Sequence, residues 1–541
     1  MRKSFIIALV CLSLLLTVLV AQKINLAVAD IGRHIKNGEM MLNAGEMGFS
    51  RSALLRTNFY SYTESDTPFV NHHWASGILF YFIFSLFGWS GLSFFHILIF
   101  VLAFAILFLL SHRKLPLLYL IPLSIFLLPL IAERTEIRPE TFSYLFIAVF
   151  IYLLTRFAEN DPSKKFLYLL PILFLFWANL HIYFVFGLFI IGAYLLERII
   201  HKDWEKTRVL ASILIFSVVA TFITPFGPKA LLYPFTIFQD YGYRLVENQS
   251  IPFLENIGFV NPSFIWWKIA AGFGILLSLW TLVRRPRQFP IALGIIAFAF
   301  GFLSFSAIRN FSVFGLVLLP YLAYIFSAAR NSKEKAFRSS TEREPATFSA
   351  GNDSVLFLAV SDKATEVAIA SSITISFLLL IIIPIRFSAN TPWSPTWGVG
   401  LMSGVNDSAE FVREHNIQGP IFSNYDIGGY LIYHLFPAQK VFVDNRPEAY
   451  SVEFFQNVYI PMQEKQEVWE KVSSQYNFNT IWFYRHDLTP WSQQFLIQMV
   501  NDPVWAPVFV DDYTIIFLKR TIQNTELIQK FELPKSLFSI K

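Results

Sequence analysis

The sequence predicts an α-helical polytopic membrane protein that carries a small α/β domain at its C-terminal end. Hydrophobic residues make up 55% of the 541 and charged residues only 15%, where a soluble domain has about a quarter charged. Apolar segments of about 20 residues, the length that spans a hydrocarbon core of about 30 Å, recur through the first 390 or so residues and stop there. The single cysteine, Cys11, excludes an intrachain disulfide and a zinc finger. The formal charge of +5 is spread in small clusters and suggests no nucleic-acid partner.

The chain opens with "MRKSFIIALVCLSLLLTVLVAQ", a basic start and an apolar run that resembles a signal peptide. Because many spans follow, it is read as an uncleaved first helix. Basic clusters at Arg2 and Lys3, 112–114, 164–165, 202–208, 284–287 and 330–335 mark cytoplasmic loops. Spans then fall at 4–22, 91–111, 116–131, 140–156, 166–179, 180–197, 208–224, 264–283, 289–307, 311–327 and 365–386, about eleven crossings. The N-terminus is then cytoplasmic and the C-terminal region outside the cell membrane. This topology requires "WASGILFYFIFSLFGW" (74–89), short and broken by Gly, to lie at the interface without crossing. The expected division is a membrane module over 1–327 with a first outer loop at 23–90, a cytoplasmic linker at 328–364, a last span at 365–386 and an outer α/β domain at 387–541.

Ionisable residues at membrane depth are expensive and mark function, and in this topology many face outward together. Asp30 and His34 stand four apart, on one face of an expected amphipathic interfacial helix whose stripe is Ile24, Val28, Ile31, Ile35 and Leu42. Adjacent His72 and His73 cannot share a helix face, so one of them, His73, is expected in the cavity. Glu133, Arg134, Arg138, His181 and Arg309 complete the outward set of substrate-binding candidates. The segment 233–263 is long for a connector, aromatic and expected to cap a cavity.

The order of the D-x-x-x-H element, "NGE", "FYSYT", "PFVNHHW" and "LFGWSG" resembles the first-loop signature of bacterial membrane glycosyltransferases of the GT-C superfamily, such as protein O-mannosyltransferases and aminoarabinose transferases. "IRPETFSYLF" (137–146), "WANLHIYFVFGL" (177–188), "TFITPFG" (221–227) and "AIRNFSVFGL" (307–316) extend the likeness over the membrane part. The resemblance implies transfer of a sugar from a polyprenyl-phosphate carrier to a glycan, lipid or protein acceptor, and puts Asp30 at the family's catalytic carboxylate. Two positions depart from the pattern: Asn58, where many relatives are acidic, and His73, where they often have Glu.

Such a displacement at an anomeric carbon needs a carboxylate to take the acceptor proton and donors for the departing phosphate. Asp30 suits the first role. Arg138, Arg309, His181 and Arg134 suit the second, since guanidinium binds phosphate through a planar fork. Asp and His are competent ligands for a divalent metal, yet only the Asp30–His34 pair has chelating spacing. A transporter or flippase of lipid-linked sugars and a non-catalytic scaffold of envelope assembly are the alternative readings.

In the tail, "DSAEFVREHN" (407–416) reads as a capped helix, and "KVFVDNR" (440–446), "TIWFYR" (480–485) and "YTIIFLKR" (513–520) as strands with a helix at 463–476 between them. Gly428 and Gly429 are assigned to a backbone turn. "FSNYDIGGYLIYHLFPAQKVFVDNRPEAY" (422–450) is similar to the tail domain of the same transferases, and Asp426, Asp444 and Arg446 there fit either sugar contact or an Asp–Arg network.

Overall fold

The computed structural model describes residues 2–160, 163–237, 240–341 and 396–538. Apolar runs without interior charge form α1 (Arg2–Val20) and, after a first loop holding α2 (Ile31–Asn43) and α3 (Arg51–Arg56), the 39-residue α4 (Trp74–His112). The bundle continues with α5 (Leu117–Ile131), α6 (Glu140–Ala158), α7 (Leu169–Leu180), α8 (Phe184–Ile200) and α9 (Trp204–Thr221). Short α10 (Pro228–Thr236) and α11 (Ile251–Asn256) precede α12 (Ser263–Arg284), α13 (Ile291–Ser306) and α14 (Phe311–Thr341). Five of these helices, α1, α4, α6, α12 and α14, are long and apolar enough to cross a membrane by length and composition. Both the linker at 328–364, beyond Thr341, and the span at 365–386 lie outside the described residues.

Contacts between helix ends show which termini share a side of the bundle. At one end Glu159 takes Lys114 at 2.7 Å and the Tyr324 hydroxyl at 3.0 Å, and Phe5 stacks on His112. At the other end lie Val20, the starts of α4 and α6, and the turn 308–310 that opens α14, all beside the first loop and the C-terminal domain. Side chains turned away from the bundle are apolar and exposed, such as Leu276 at 69% and Phe298 at 74%. That is the surface a lipid-facing helix presents, because lipid gives no drive to bury it. Inside, Trp177 packs between Phe146, Phe150 and Phe174 and donates from Nε1 to Ser143 Oγ at 2.8 Å.

α4 is broken at Gly88, whose φ of +62° only glycine adopts without strain. Near the start of its first half Ser76 donates to the Leu180 carbonyl, and just past the break Trp89 packs against Tyr433 of the C-terminal domain. Both ends therefore lie on the side of the first loop.

α2 is buried nearly all round, between this half of α4 and the C-terminal helix Gly428–Leu435. The expected single stripe is corrected here in two ways. Residues 22–24 are not helical but pair with 397–401, because Ile24 N–H finds the Gly400 carbonyl at 2.8 Å. Leu42, expected inside, is 46% exposed, while Ile31 and Ile35 are buried.

A close approach makes that packing specific. A Cβ on Gly38 would stand 2.1 Å from the Gly77 carbonyl oxygen, so α2 and α4 touch backbone to backbone. Gly38→Ala is expected to destabilise the protein by about 1–3 kcal/mol, seen as a lowered unfolding temperature in detergent; an unchanged temperature contradicts this crossing.

The C-terminal domain is a four-stranded sheet in the order β1 (Ile421–Phe422), β2 (Thr480–Tyr484), β4 (Thr514–Lys519), β3 (Trp505–Val510). β1 runs parallel to β2, and β4 antiparallel to both β2 and β3, with Trp482 opposite Ile516. Helices at Asp407–Glu414 and Gln466–Tyr476 form where helical periodicity falls. The segment 440–446 is not a strand of this sheet. It is extended because it binds the first loop: Val441 N–H donates to the Tyr60 carbonyl at 3.0 Å and Tyr62 N–H to the Val441 carbonyl at 3.1 Å. Gly428 is not a turn residue either. It opens a helix that lies on this segment, since a Cβ there would be 2.3 Å from Asp444 Cα.

Candidate active site

Where the first loop, the ends of α6, α7 and α14, the segment after α10 and the C-terminal domain meet, they enclose a cleft of about 710 Å³, partly open to solvent. Asp30, His34, His73, Arg138, His181 and Arg309, far apart in sequence, all line it. So do Tyr241, Leu245 and Glu247, which makes the long segment 233–263 one wall of the cleft.

Asp30 occupies the N-cap position of α2 with helical φ and ψ of −62° and −20°, and its carboxylate accepts no helix N–H. The carboxylate faces arginines instead, Arg138 Nη1 at 3.2 Å and Arg33 Nη2 at 3.6 Å, and is 12% exposed. Arg33 is fixed in turn by Asn445 of the C-terminal domain, whose Oδ1 accepts from Nε at 3.1 Å.

Behind Asp30 lies an alternating network. Arg138 also meets Glu136 at 2.7 Å and Glu247 at 3.1 Å. Arg134 bridges Glu140 and Glu247, each at 2.5 Å, and Arg309 holds Glu140 at 3.1 Å and Asn248 at 3.0 Å. Burial pushes the Glu247 carboxyl up, but Arg134, Arg138 and Arg309 outweigh it and hold it well below the usual carboxylate range.

Two expected substrate contacts stand behind this wall rather than in the cleft. Glu133 accepts from Asn261 Nδ2 at 2.7 Å and from Ser263 Oγ, so it ties down the start of α12. Arg134 spends its guanidinium on Glu140 and Glu247, and so orients groups that do line the cleft.

The histidines form a second cluster. The His72 and His73 rings lie 3.7 Å apart between centroids, and His73 is 5.4 Å from both His34 and His181. The expectation that only one of the adjacent pair faces the cavity is corrected: both line it, because they precede α4 instead of sitting within it. Burial lowers all four imidazoles, His72 to about 4 and the others well below their usual value. They are neutral near pH 7. Among the described residues no group of three His, Cys, Asp or Glu is placed to hold a metal ion.

Asn58 is not in the cleft. Fully buried, it accepts from Arg446 Nη2 at 2.8 Å, and Arg446 also clasps Asp444 at 2.6 Å and lies over the rings of Tyr60 and Phe69. Asn58 therefore joins the first loop to the tail, and of the two readings of Asp444 and Arg446 the network is the one observed.

No family model matches the chain, and no curated protein matches it in sequence. Solved structures do match in fold. The archaeal oligosaccharyltransferase AglB from Archaeoglobus fulgidus, in complex with an inhibitory peptide and a dolichol-phosphate, superposes with a TM-score of 0.54 at 12% identity over 93% of this chain and 72% of that one. ArnT from Cupriavidus metallidurans, bound to undecaprenyl phosphate, superposes with a TM-score of 0.51 at 12% identity over 95% of this chain and 97% of that one. The chain shares its overall fold with these two structures.

Within this fold, the cleft also takes residues that the substrate-binding candidates leave out. Arg33, His72, Glu140 and Glu247 carried a visible signal, ionisable groups beside apolar segments. Glu448 carried none, sitting in a soluble-looking tail. It lines the cleft and makes no ion pair among the described residues. Burial pushes its carboxyl above the usual range against the opposing pull of Arg33 and Arg446.

Proposed function

We propose that the protein is an integral-membrane glycosyltransferase that moves a sugar from a polyprenyl-phosphate carrier to an acceptor hydroxyl or amide outside the cytoplasmic membrane. Both AglB and ArnT were solved with a polyprenyl phosphate of the dolichol or undecaprenol type, and both superpose on nearly the whole of this chain. The observation that carries the reading is the Asp30 carboxylate, unused by its own helix and held by Arg33 and Arg138 at the mouth of a polar cleft at one end of an apolar bundle.

In this reading Asp30 takes the acceptor proton as the acceptor attacks the anomeric carbon from the face opposite the phosphate. The bond from that carbon to the phosphate oxygen breaks with inversion. The end of the bundle bearing the cleft faces outward, as the positive-inside distribution implies. A transporter is disfavoured, because the charges gather at one end of the bundle rather than in broken helices at its middle.

The test is sugar transfer by purified protein in lipid from a panel of radiolabelled polyprenyl-phosphate sugars. Label moving to an acceptor with release of polyprenyl phosphate supports the enzyme. Binding of donors without transfer from any of them returns weight to the transporter.

A further inference from the structure

The arginines that line the cleft, and Arg134 in the wall behind it, are all matched. Arg33, Arg134, Arg138 and Arg309 each lie within 3.6 Å of a carboxylate among Asp30, Glu136, Glu140 and Glu247. Four cations against four anions leave a phosphate monoester, which carries close to two negative charges above neutral pH, with no unmatched guanidinium. Charge for it has to come from a group that is uncharged at rest.

The histidine cluster is placed and prepared for that. His72 Nδ1 is 3.0 Å from the Val70 carbonyl, which can only accept, so the ring proton is on Nδ1 and Nε2 keeps its lone pair. His181 Nδ1 receives the Tyr183 N–H at 3.4 Å, and lies 2.8 Å from Ser143 Oγ, itself the acceptor of Trp177 Nε1–H; the His181 proton is therefore on Nε2. His34 Nδ1 is buried with no hydrogen-bond partner, a cost a folded protein rarely leaves without purpose. The cluster thus holds both a ring donor and open ring acceptors within one cleft wall.

We propose that His34, His72, His73 and His181 seat the phosphate of the lipid carrier and take up a single proton when it binds. The inference rests on the lipid-linked reading above. A second proton is opposed by the first, because the rings stand 3.7 to 5.4 Å apart in a partly desolvated site.

The groups facing the cluster set the sign. Arg33 from α2, Arg138 from the turn before α6 and Arg309 before α14 repel an imidazolium, and Glu140 draws one. Tyr183, Tyr233 and Tyr241 are neutral neighbours, and Glu448 faces in from the C-terminal domain. With burial, the balance keeps the empty cluster neutral near pH 7, His72 titrating at about 4. An adjoining phosphate anion favours the charged ring. Binding therefore consumes a proton, and affinity rises as pH falls.

The experiment uses the full chain in phosphatidylcholine nanodiscs and undecaprenyl phosphate as the probe, with calorimetry in two buffers of different ionisation enthalpy. Affinity is expected to fall as pH rises, by close to tenfold per pH unit between about pH 7 and pH 8, where the free monoester is already mostly the dianion and uptake is close to one proton. A monoester bound as its own monoanion would also take up a proton, so the histidine variants decide where the proton goes. His72→Gln with His73→Gln should abolish the uptake, and Glu448→Gln should keep it. Affinity that is flat or rises with pH, or uptake that survives the histidine changes and vanishes with Glu448→Gln, overturns the inference alone. No binding at any pH overturns both it and the lipid-linked reading.

Discussion

Replacing Asp30 with Asn is expected to lower the turnover of sugar transfer by about 10²–10⁴-fold, the range that a positioned general base contributes, while donor KM changes little. The geometry separates these effects. Asn keeps the size of the side chain, and Arg138 retains Glu136 at 2.7 Å and Glu247 at 3.1 Å, so the cleft wall stays in place. What is lost is the carboxylate that the α2 N-terminus leaves unused. Initial rates over a range of donor, with binding of polyprenyl phosphate measured alongside, check both halves. Unimpaired turnover would move the base to Glu448, which lines the same cleft without an ion pair among the described residues.

Arg446→Leu is expected to cost about 3–5 kcal/mol of stability, the typical penalty for stranding one partner of a buried ion pair. Arg446 is 3% exposed and Asp444 is wholly buried, so the variant leaves a carboxylate with only the Tyr450 hydroxyl at 3.0 Å and the Arg446 backbone N–H at 3.1 Å to satisfy it. Asn58 loses its donor as well, and with it goes one of the ties between the first loop and the tail. A large fall in unfolding temperature, with loss of folded protein at expression, is the expected result. A variant that melts like wild type shows the network is dispensable.

These two residues mark how far the sequence could be read. Asp30 was legible because an acidic residue one turn from a histidine, just past an apolar span, breaks a strong local pattern. Arg138, His181 and Arg309 were legible for the same reason. Asp444 and Arg446 were visible, but two residues in a polar tail offer no sign that they hold Asn58, which lies 388 positions before Arg446. Glu448 was silent, since a carboxylate in a soluble-looking domain is the commonest of surface features.

The strands tell the same story. "TIWFYR" and "YTIIFLKR" alternate or run apolar and pair in the sheet, whereas "KVFVDNR" has equal strand character and is recruited by the first loop instead. The interfacial helix expected from Ile24 to Leu42 is confined to 31–43 and loses its solvent face to the C-terminal domain, which period alone cannot foresee.

By itself the sequence determined a membrane-embedded helical bundle, the helix boundaries between residues 116 and 307 to within a few residues, and the clustering of ionisable groups at one end, because hydrophobic length and the cost of charge in lipid act on each segment separately. Tertiary structure alone decided which of those groups line the cleft and which brace it, that each arginine is already neutralised by a carboxylate, that His72 and His73 both join the cluster, and that the tail contributes Asn445 and Glu448. Those outcomes depend on distances between segments hundreds of residues apart, set by packing such as the Gly38–Gly77 contact, and no local pattern encodes them.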